Sequence, residues 1–186
     1  MNEILKVINS RRSIRKFKKE QISSSVLQDI VNAGLYAPNA MNQQKWHFTV
    51  IQNKALLDRM VNIIKQNIMN SGIDFLIQRA SAPDYHTFHH SPAVILISGD
   101  EKSPFIQISC GAAAQNLALA SESLHIGSCI ITSSAFLFTS EKSDELKREL
   151  GIPEGYNHIC TIALGYKEGE IPSVPPRNKD VVNYIK

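Results

Sequence analysis

The sequence predicts an α+β fold, a central mixed sheet flanked by helices around one buried core helix. Three observations carry this expectation. From Ser103 to Ser121 no charged residue occurs, and Gly111, Ala112, Ala113, Ala114, Ala118 and Ala120 sit between larger apolar side chains. A helix that is apolar or small all round is one that other elements cover. Ala93 to Ile97 is an unbroken apolar run between Pro92 and Gly99, the pattern of a strand buried on both faces. The whole chain reads as two helices, strand, helix, strand, long helix, strand, helix, strand and extended tail, which fits helices laid over a sheet.

The elements follow in order. Glu3 to Asn9 has helical spacing, with Ile4, Leu5, Val7 and Ile8 apolar. Arg11 to Lys19 is too basic to continue that helix and is expected to turn back. Ser23 caps a second helix through Tyr36, with Val26, Leu27, Ile30, Val31 and Leu35 as its stripe. Ala37 to Gln44 is a loop, polar and punctuated by proline and asparagine. Trp46 to Gln52 alternates as a strand, and Lys54 to Met69 returns to helical spacing. Asn70 to Ser91 carries no legible pattern.

For the core helix, Ser103 is the expected N-cap, Pro104 the first helical residue and Gly127 the residue that closes it. Gln107, Ser109, Gln115, Asn116 and Ser121 interrupt the run too often for a membrane span. Ser128 to Thr132 is a short β-branched strand. Glu141 to Leu150 is a charged helix ended by Gly151 and Pro153, and His158 to Leu164 is a last core strand. From Gly165 the tail carries Pro172, Pro175 and Pro176 and cannot pack as a regular element.

At 186 residues the chain suits one domain, 1–186, with a proper core. Its 43% hydrophobic and 20% charged content is ordinary for a globular protein, so neither a disordered nor a membrane class is favoured. The first ten residues lack the apolar core of a signal peptide. Cys110, Cys129 and Cys160 are odd in number and far apart, as expected of buried reduced thiols in a cytoplasmic protein.

The net charge of +3 is mild but unevenly placed: Arg11, Arg12, Arg15, Lys16, Lys18 and Lys19 lie close together. Such a field calls for an anion. In an extended RRSIRKF, Arg11, Ser13 and Arg15 fall on one side, and two guanidinium forks around a hydroxyl suit a phosphate. The bland alternative is a solvated basic face. Nucleic acid is not expected, because no binding motif surrounds these residues. In APNAMNQQKWHF, Asn39, Asn42 and Gln44 can each donate and accept, as a heterocycle edge requires; alone this is only a polar loop. His86, His89 and His90 lack a cysteine or a helical pairing, so no metal is expected. No nucleotide-binding glycine motif and no nucleophile motif is present. An enzyme built this way would leave the chemistry to a cofactor.

Four blocks in this order, RRSIRKF, APNAMNQQKWHF, GAAAQNLALASESLHIGSC and IALGY followed by PPR, resemble the nitroreductase family of FMN-dependent oxidoreductases. The resemblance implies a homodimer with two FMN sites at its interface and C-terminal arms that wrap the partner. It implies NAD(P)H as electron donor, a small-molecule acceptor such as a nitroaromatic or quinone, a ping-pong cycle, and no obligatory side-chain acid or base. Carried over by residue, Arg11, Arg12, Ser13 and Arg15 match the first FMN block; Arg11 and Arg12 would meet phosphate or ribityl oxygens, and Arg15 the pyrimidine edge of the ring. Pro38, Asn39, Ala40, Asn42 and Gln44 would reach the flavin from the other subunit. Ile130, Ile131, Thr132 and Ser133 would pass its N5 and O4 side, and Arg177 would return to the phosphate. Thr132 and Ser133 depart from the Gly or Glu-Gly that the family often has there. His86 aligns where some members carry a lysine near N1 and O2. Other chemistry on the same fold remains an alternative, namely flavin destruction, dehalogenation or azoline oxidation, as does a non-enzymatic FMN-binding protein.

Overall fold

A computed structural model describes residues 2–186. Four strands, β1 (Trp46–Ile51), β2 (Ala93–Asp100), β3 (Ile126–Ile131) and β4 (Tyr156–Tyr166), form one sheet in the order β1-β2-β4-β3. All three strand pairs are antiparallel. The parallel component expected of a mixed sheet is confined to an isolated bridge between Ser13 and Ser128. Six α-helices surround the sheet: α1 (Glu3–Ser10), α2 (Ser24–Leu35), α3 (Lys54–Met69), α4 (Asp74–Ala80), α5 (Ile106–Ser123) and α6 (Ser143–Glu149). Short 3₁₀ segments occupy Ala40–Asn42 and Ser133–Phe138.

β2 divides the core. Its Val94 and Leu96 face α3, with Ile64, Leu57 and Met60 beyond them. Its Ala93, Ile95 and Ile97 face α2 and α5, onto Ile30, Ala113, Ala114 and Leu117. Every β2 residue from Ala93 to Gly99 is buried, because an interior strand with helices on both sides has no solvated face. α2 and α3 begin where side-chain caps predict: Ser23 accepts from the Val26 N–H, and Asn53 Oδ1 accepts from the Leu56 N–H at 3.0 Å.

α5 differs from expectation at both ends. It starts at Ile106 with Phe105 in the N-cap position, not at Ser103 and Pro104. Its left-handed closing residue is His125 at φ 60°, and Gly127 belongs to β3. The reason is steric. A Cβ on Gly127 would lie 3.0 Å from Ile14 Cγ2, so glycine there admits the N-terminal segment against the strand. Nor is α5 covered all round within one chain. Gln107, Ile108, Gly111 and Gln115 are exposed, Ile108 at 75%. α1 buries none of its residues, although Ile4, Leu5 and Ile8 are apolar. β4 is longer than expected at both ends and carries a register shift opposite Ile97 and Ser98. Among the described residues no helix is long and apolar enough to cross a membrane.

Candidate functional site

The basic segment is tied to the sheet by two isolated bridges, Ser13 to Ser128 of β3 and Phe17 to Lys167 just past β4. The Ile14 N–H donates to the Ser128 carbonyl at 2.9 Å, and the Lys18 N–H to the Tyr166 carbonyl at 2.9 Å. Ile14 and Phe17 are buried and anchor the segment, while Arg15 stays exposed. Arg12 folds back, its Nη1 donating to the carbonyls of Asn9 and Arg11 at 2.7 Å each. That caps the end of α1 and uses one arm of the fork. Its Nε is buried without a partner, which leaves a guanidinium N–H in want of an acceptor oxygen.

β3 is the edge beside it. Ser128 accepts from Ile14, so the two-residue strand period turns the Ile130 peptide groups to the same open edge. The Ile130 side chain is 40% exposed, while Ile131 is buried. Thr132 is exposed and Ser133 half-buried as the strand gives way to the 3₁₀ segment. That turn is tied down from behind. Ser134 Oγ donates to the Ile131 carbonyl at 3.0 Å, and His158 Nε2 lies 3.3 Å from Ser134 Oγ and 2.9 Å from Thr161 Oγ1. Burial pushes the His158 imidazole down to about 4, and its Nδ1 is buried without a partner.

Positive charge converges here. Burial raises the Cys129 thiol, and Arg15, Arg11 and Arg79 oppose that rise. Burial pushes His89 down to about 4, and Arg15, Arg79 and His90 act in the same direction. Arg79, on α4, thus acts electrostatically on the same two groups as Arg15. No signal marked it in the sequence, because it stands alone in the patternless stretch from Asn70 to Ser91. His86, by contrast, is turned toward α3, 4.0 Å from Asp58, with its Nδ1 accepting from the His90 N–H. Burial is the main reason its imidazole also lies down at about 4. Among the described residues no group of three metal-ligating side chains forms.

One chain does not gather all the expected residues. Ser13 and Ile14 pair with Ser128 on β3, the strand that carries Ile130 and Ile131 and leads into Thr132 and Ser133, so Arg11, Arg12 and Arg15 lie on the segment attached to that strand. Pro38, Asn39, Ala40, Asn42 and Gln44 precede β1, at the opposite edge of the sheet. Three strand spacings, about 14 Å, lie between. The loop is built rather than slack: Asn39 Oδ1 accepts from the Gln44 N–H at 2.8 Å, and Met41, Asn42 and Gln44 have φ of 52°, 51° and 51°. Such left-handed non-glycine residues persist only where surroundings over-determine them, and they gather at ligand clamps. Arg177 lies in a tail whose every residue from Glu168 to Lys186 is exposed.

The sequence model of the Nitroreductase family matches residues 8–166. A crystal structure of a nitroreductase with bound FMN from Bacteroides fragilis superposes with a TM-score of 0.94 at 29% identity, over 100% of both chains. A protein of Archaeoglobus fulgidus, provisionally named NADH dehydrogenase/NAD(P)H nitroreductase, is 30% identical over 91% of this chain and 88% of its own length. An iodotyrosine deiodinase of Thermotoga neapolitana is 22% identical over 99% of this chain and 98% of its own.

Proposed function

The chain belongs to the nitroreductase family, and on that premise we propose that it is an FMN-dependent oxidoreductase. It would draw electrons from NAD(P)H and pass them to a small-molecule acceptor such as a nitroaromatic or a quinone. The observation that carries this reading is the buried, partnerless Arg12 Nε beside Arg11 and Arg15 on the β3 edge. A guanidinium donor left without a partner is best met by an anionic oxygen, and the FMN phosphate would supply one. When bound, FMN supplies the two-electron chemistry, accepting hydride from the nicotinamide and giving electrons to the acceptor.

The residues then have these tasks. Arg11 and the free arms of Arg12 hold phosphate oxygens, with Arg177 joining from a tail. The exposed Ile130 side chain offers an apolar seat for a planar ring, and the open Ile130 peptide edge offers hydrogen bonds. Arg15 and Arg79 stabilise negative charge that accumulates during the reaction. His89 and His158, both down at about 4, are neutral at pH 7 and serve as no proton reservoir. The loop from Pro38 to Gln44 is too far across its own sheet to take part, so we infer that a second copy of the chain brings it, in a homodimer. The three free, buried cysteines fit a reducing cytoplasm.

Chromatography of whatever flavin denaturation of the purified protein releases tests the cofactor. FMN is the expected result; FAD, or no flavin after reconstitution, overturns it. The deiodinase relative favours one second reading, reductive dehalogenation. Iodide release from iodotyrosine under reducing conditions, measured beside quinone reduction, separates the two.

A further inference from the structure

β4 carries an irregularity that the expected site residues leave out. Its register against β2 pairs Ile97 with Cys160 and then Ser98 with His158, so Ile159 is an extra residue on β4. Such a bulge shifts the alternation of side chains by one and re-aims them. Ile159 and Cys160, neighbours in sequence, accordingly both pack into the α2 and α5 side of the core. His158 is thereby turned onto the other face of the sheet, the face of Thr161. A regular strand would part these two, because residues three apart point in opposite directions. The contact is direct: His158 Nε2 lies 2.9 Å from Thr161 Oγ1.

What His158 holds there is a turn. Ser134 and Thr161 are fully buried. Ser134 Oγ donates its proton to the Ile131 carbonyl at 3.0 Å, so toward His158 Nε2, 3.3 Å away, it can only accept. Nε2 therefore carries the N–H of the neutral ring. Nδ1 is the bare nitrogen, and it is the one buried without a partner. Phe138 packs against the imidazole, ring centroids 5.5 Å apart. An apolar side chain would fill this place without leaving a nitrogen unpaired; the imidazole is explained by what Nε2 holds. The Ala135 N–H adds a bond to the Thr132 carbonyl at 3.0 Å. The turn at 131–133 is thus tied from behind, while the Thr132 side chain is exposed.

We propose that His158 is a positioning residue for the flavin reaction: through Ser134 it holds the turn at 131–133 in the geometry that meets the flavin ring. The inference deepens the flavin-dependent reading above and rests on it, because that reading is what sets the turn beside the ring. His158 acts through Ser134 and the Ile131 carbonyl, not by touching a reactant. A backbone turn cannot adjust a rotamer, so its place against a bound ring depends on what ties it from behind. A small displacement of a positioning group costs rate out of proportion to the bonds lost.

The test uses the full chain with Ser134→Ala, His158→Leu, the two combined, and His158→Gln, which keeps an N–H toward Ser134. Without flavin, amide hydrogen exchange at 131–135 should quicken about tenfold in each of the first two variants, with α3 unchanged. Once the protein is loaded with FMN, stopped-flow reduction by saturating NADH or NADPH should slow about tenfold in each. FMN affinity should stay within about threefold of wild type. The double variant should be no slower than the slower single, because both changes cut one connection. His158→Gln should reduce its flavin within about twofold of the wild-type rate. Effects that multiply in the double variant, or a His158→Gln protein as slow as His158→Leu, overturn the proposal. So does a loss of urea stability with exchange at 131–135 and reduction rate both intact, the mark of a structural role alone. Should His158→Leu not fold, Ser134→Ala and His158→Gln decide: slowing in the first and not the second supports the proposal, and any other pattern overturns it. Failure of the flavin reading looks different: wild type takes up no FMN, which removes the link to the ring whatever the exchange shows.

Discussion

Two side chains show how single residues set measurable behaviour here. His158 is mostly buried and its imidazole lies down at about 4 because burial disfavours the cation. The folded state thus holds it neutral, while an unfolded chain takes up a proton below about 6.5. Stability is therefore full above that value, falls as pH drops toward 4, and levels off below. For one such histidine the loss at pH 5 is about 2 kcal/mol. His158→Gln keeps an N–H toward Thr161 and Ser134 and removes the titration. Urea unfolding at pH 7 and pH 5 should show the wild type losing more stability than the variant; parallel losses would exclude His158 as a source. Arg11 concerns the cofactor. A charge-assisted hydrogen bond to phosphate contributes about 1.5–3 kcal/mol, so Arg11→Ala should weaken FMN binding about ten- to a hundredfold. Riboflavin lacks the phosphate and should bind wild type and variant alike. An equal loss for riboflavin would remove Arg11 from the phosphate site.

At the scale of elements, legibility followed local chemistry. α3 was readable from Lys54 to Met69 because Asn53 caps it and its stripe is regular. α4 was not, being seven residues long without a side-chain cap. Gly127 misled because glycine after a helix usually closes it, whereas here the close approach of Ile14 demands it. The basic block was legible as a concentrated positive segment, yet Arg12's folding back onto Asn9 depends on how α1 ends. Arg79 was invisible, since it stands alone in a stretch whose spacing shows no pattern. Another glycine tests packing between elements. A Cβ on Gly99 would overlap Ile106 Cγ1 and come within 3.3 Å of Cys110 Sγ, in the seam between β2 and α5. Gly99→Ala should cost about 1–3 kcal/mol through overpacking. Ile106→Ala removes the atoms in the way, so the double variant should lose less than the sum of the two singles. Strict additivity in urea midpoints would show that the seam relaxes without Ile106.

For the whole molecule the question is what one chain leaves uncovered. α1 buries nothing, Ile108 projects from α5, and Tyr36 and Met41 are 88% and 79% exposed beside the strained loop. The tail ends in Val181, Val182, Tyr184 and Ile185, exposed from 55% to 99%. Large apolar side chains left in water on these elements are what a partner subunit would cover. They also lie on the elements that flank the two halves of the divided site. A partner that covers them and carries its Pro38–Gln44 loop to the β3 edge would solve both problems at once. Where the tail can be cut follows from the structure. β4 runs to Tyr166, Lys167 bridges Phe17, and the Glu168 N–H donates to the Lys16 carbonyl at 3.1 Å. A truncation at Leu164 would damage the sheet, so the informative cut comes after Gly169. That chain keeps its core and loses the arm together with Arg177. It should retain the far-ultraviolet circular dichroism of the parent, sediment as a monomer or aggregate, and bind FMN at least about tenfold more weakly. A soluble dimer of the truncated chain with full FMN occupancy would show that the arm is dispensable, and a full-length monomer holding FMN would show that one chain suffices.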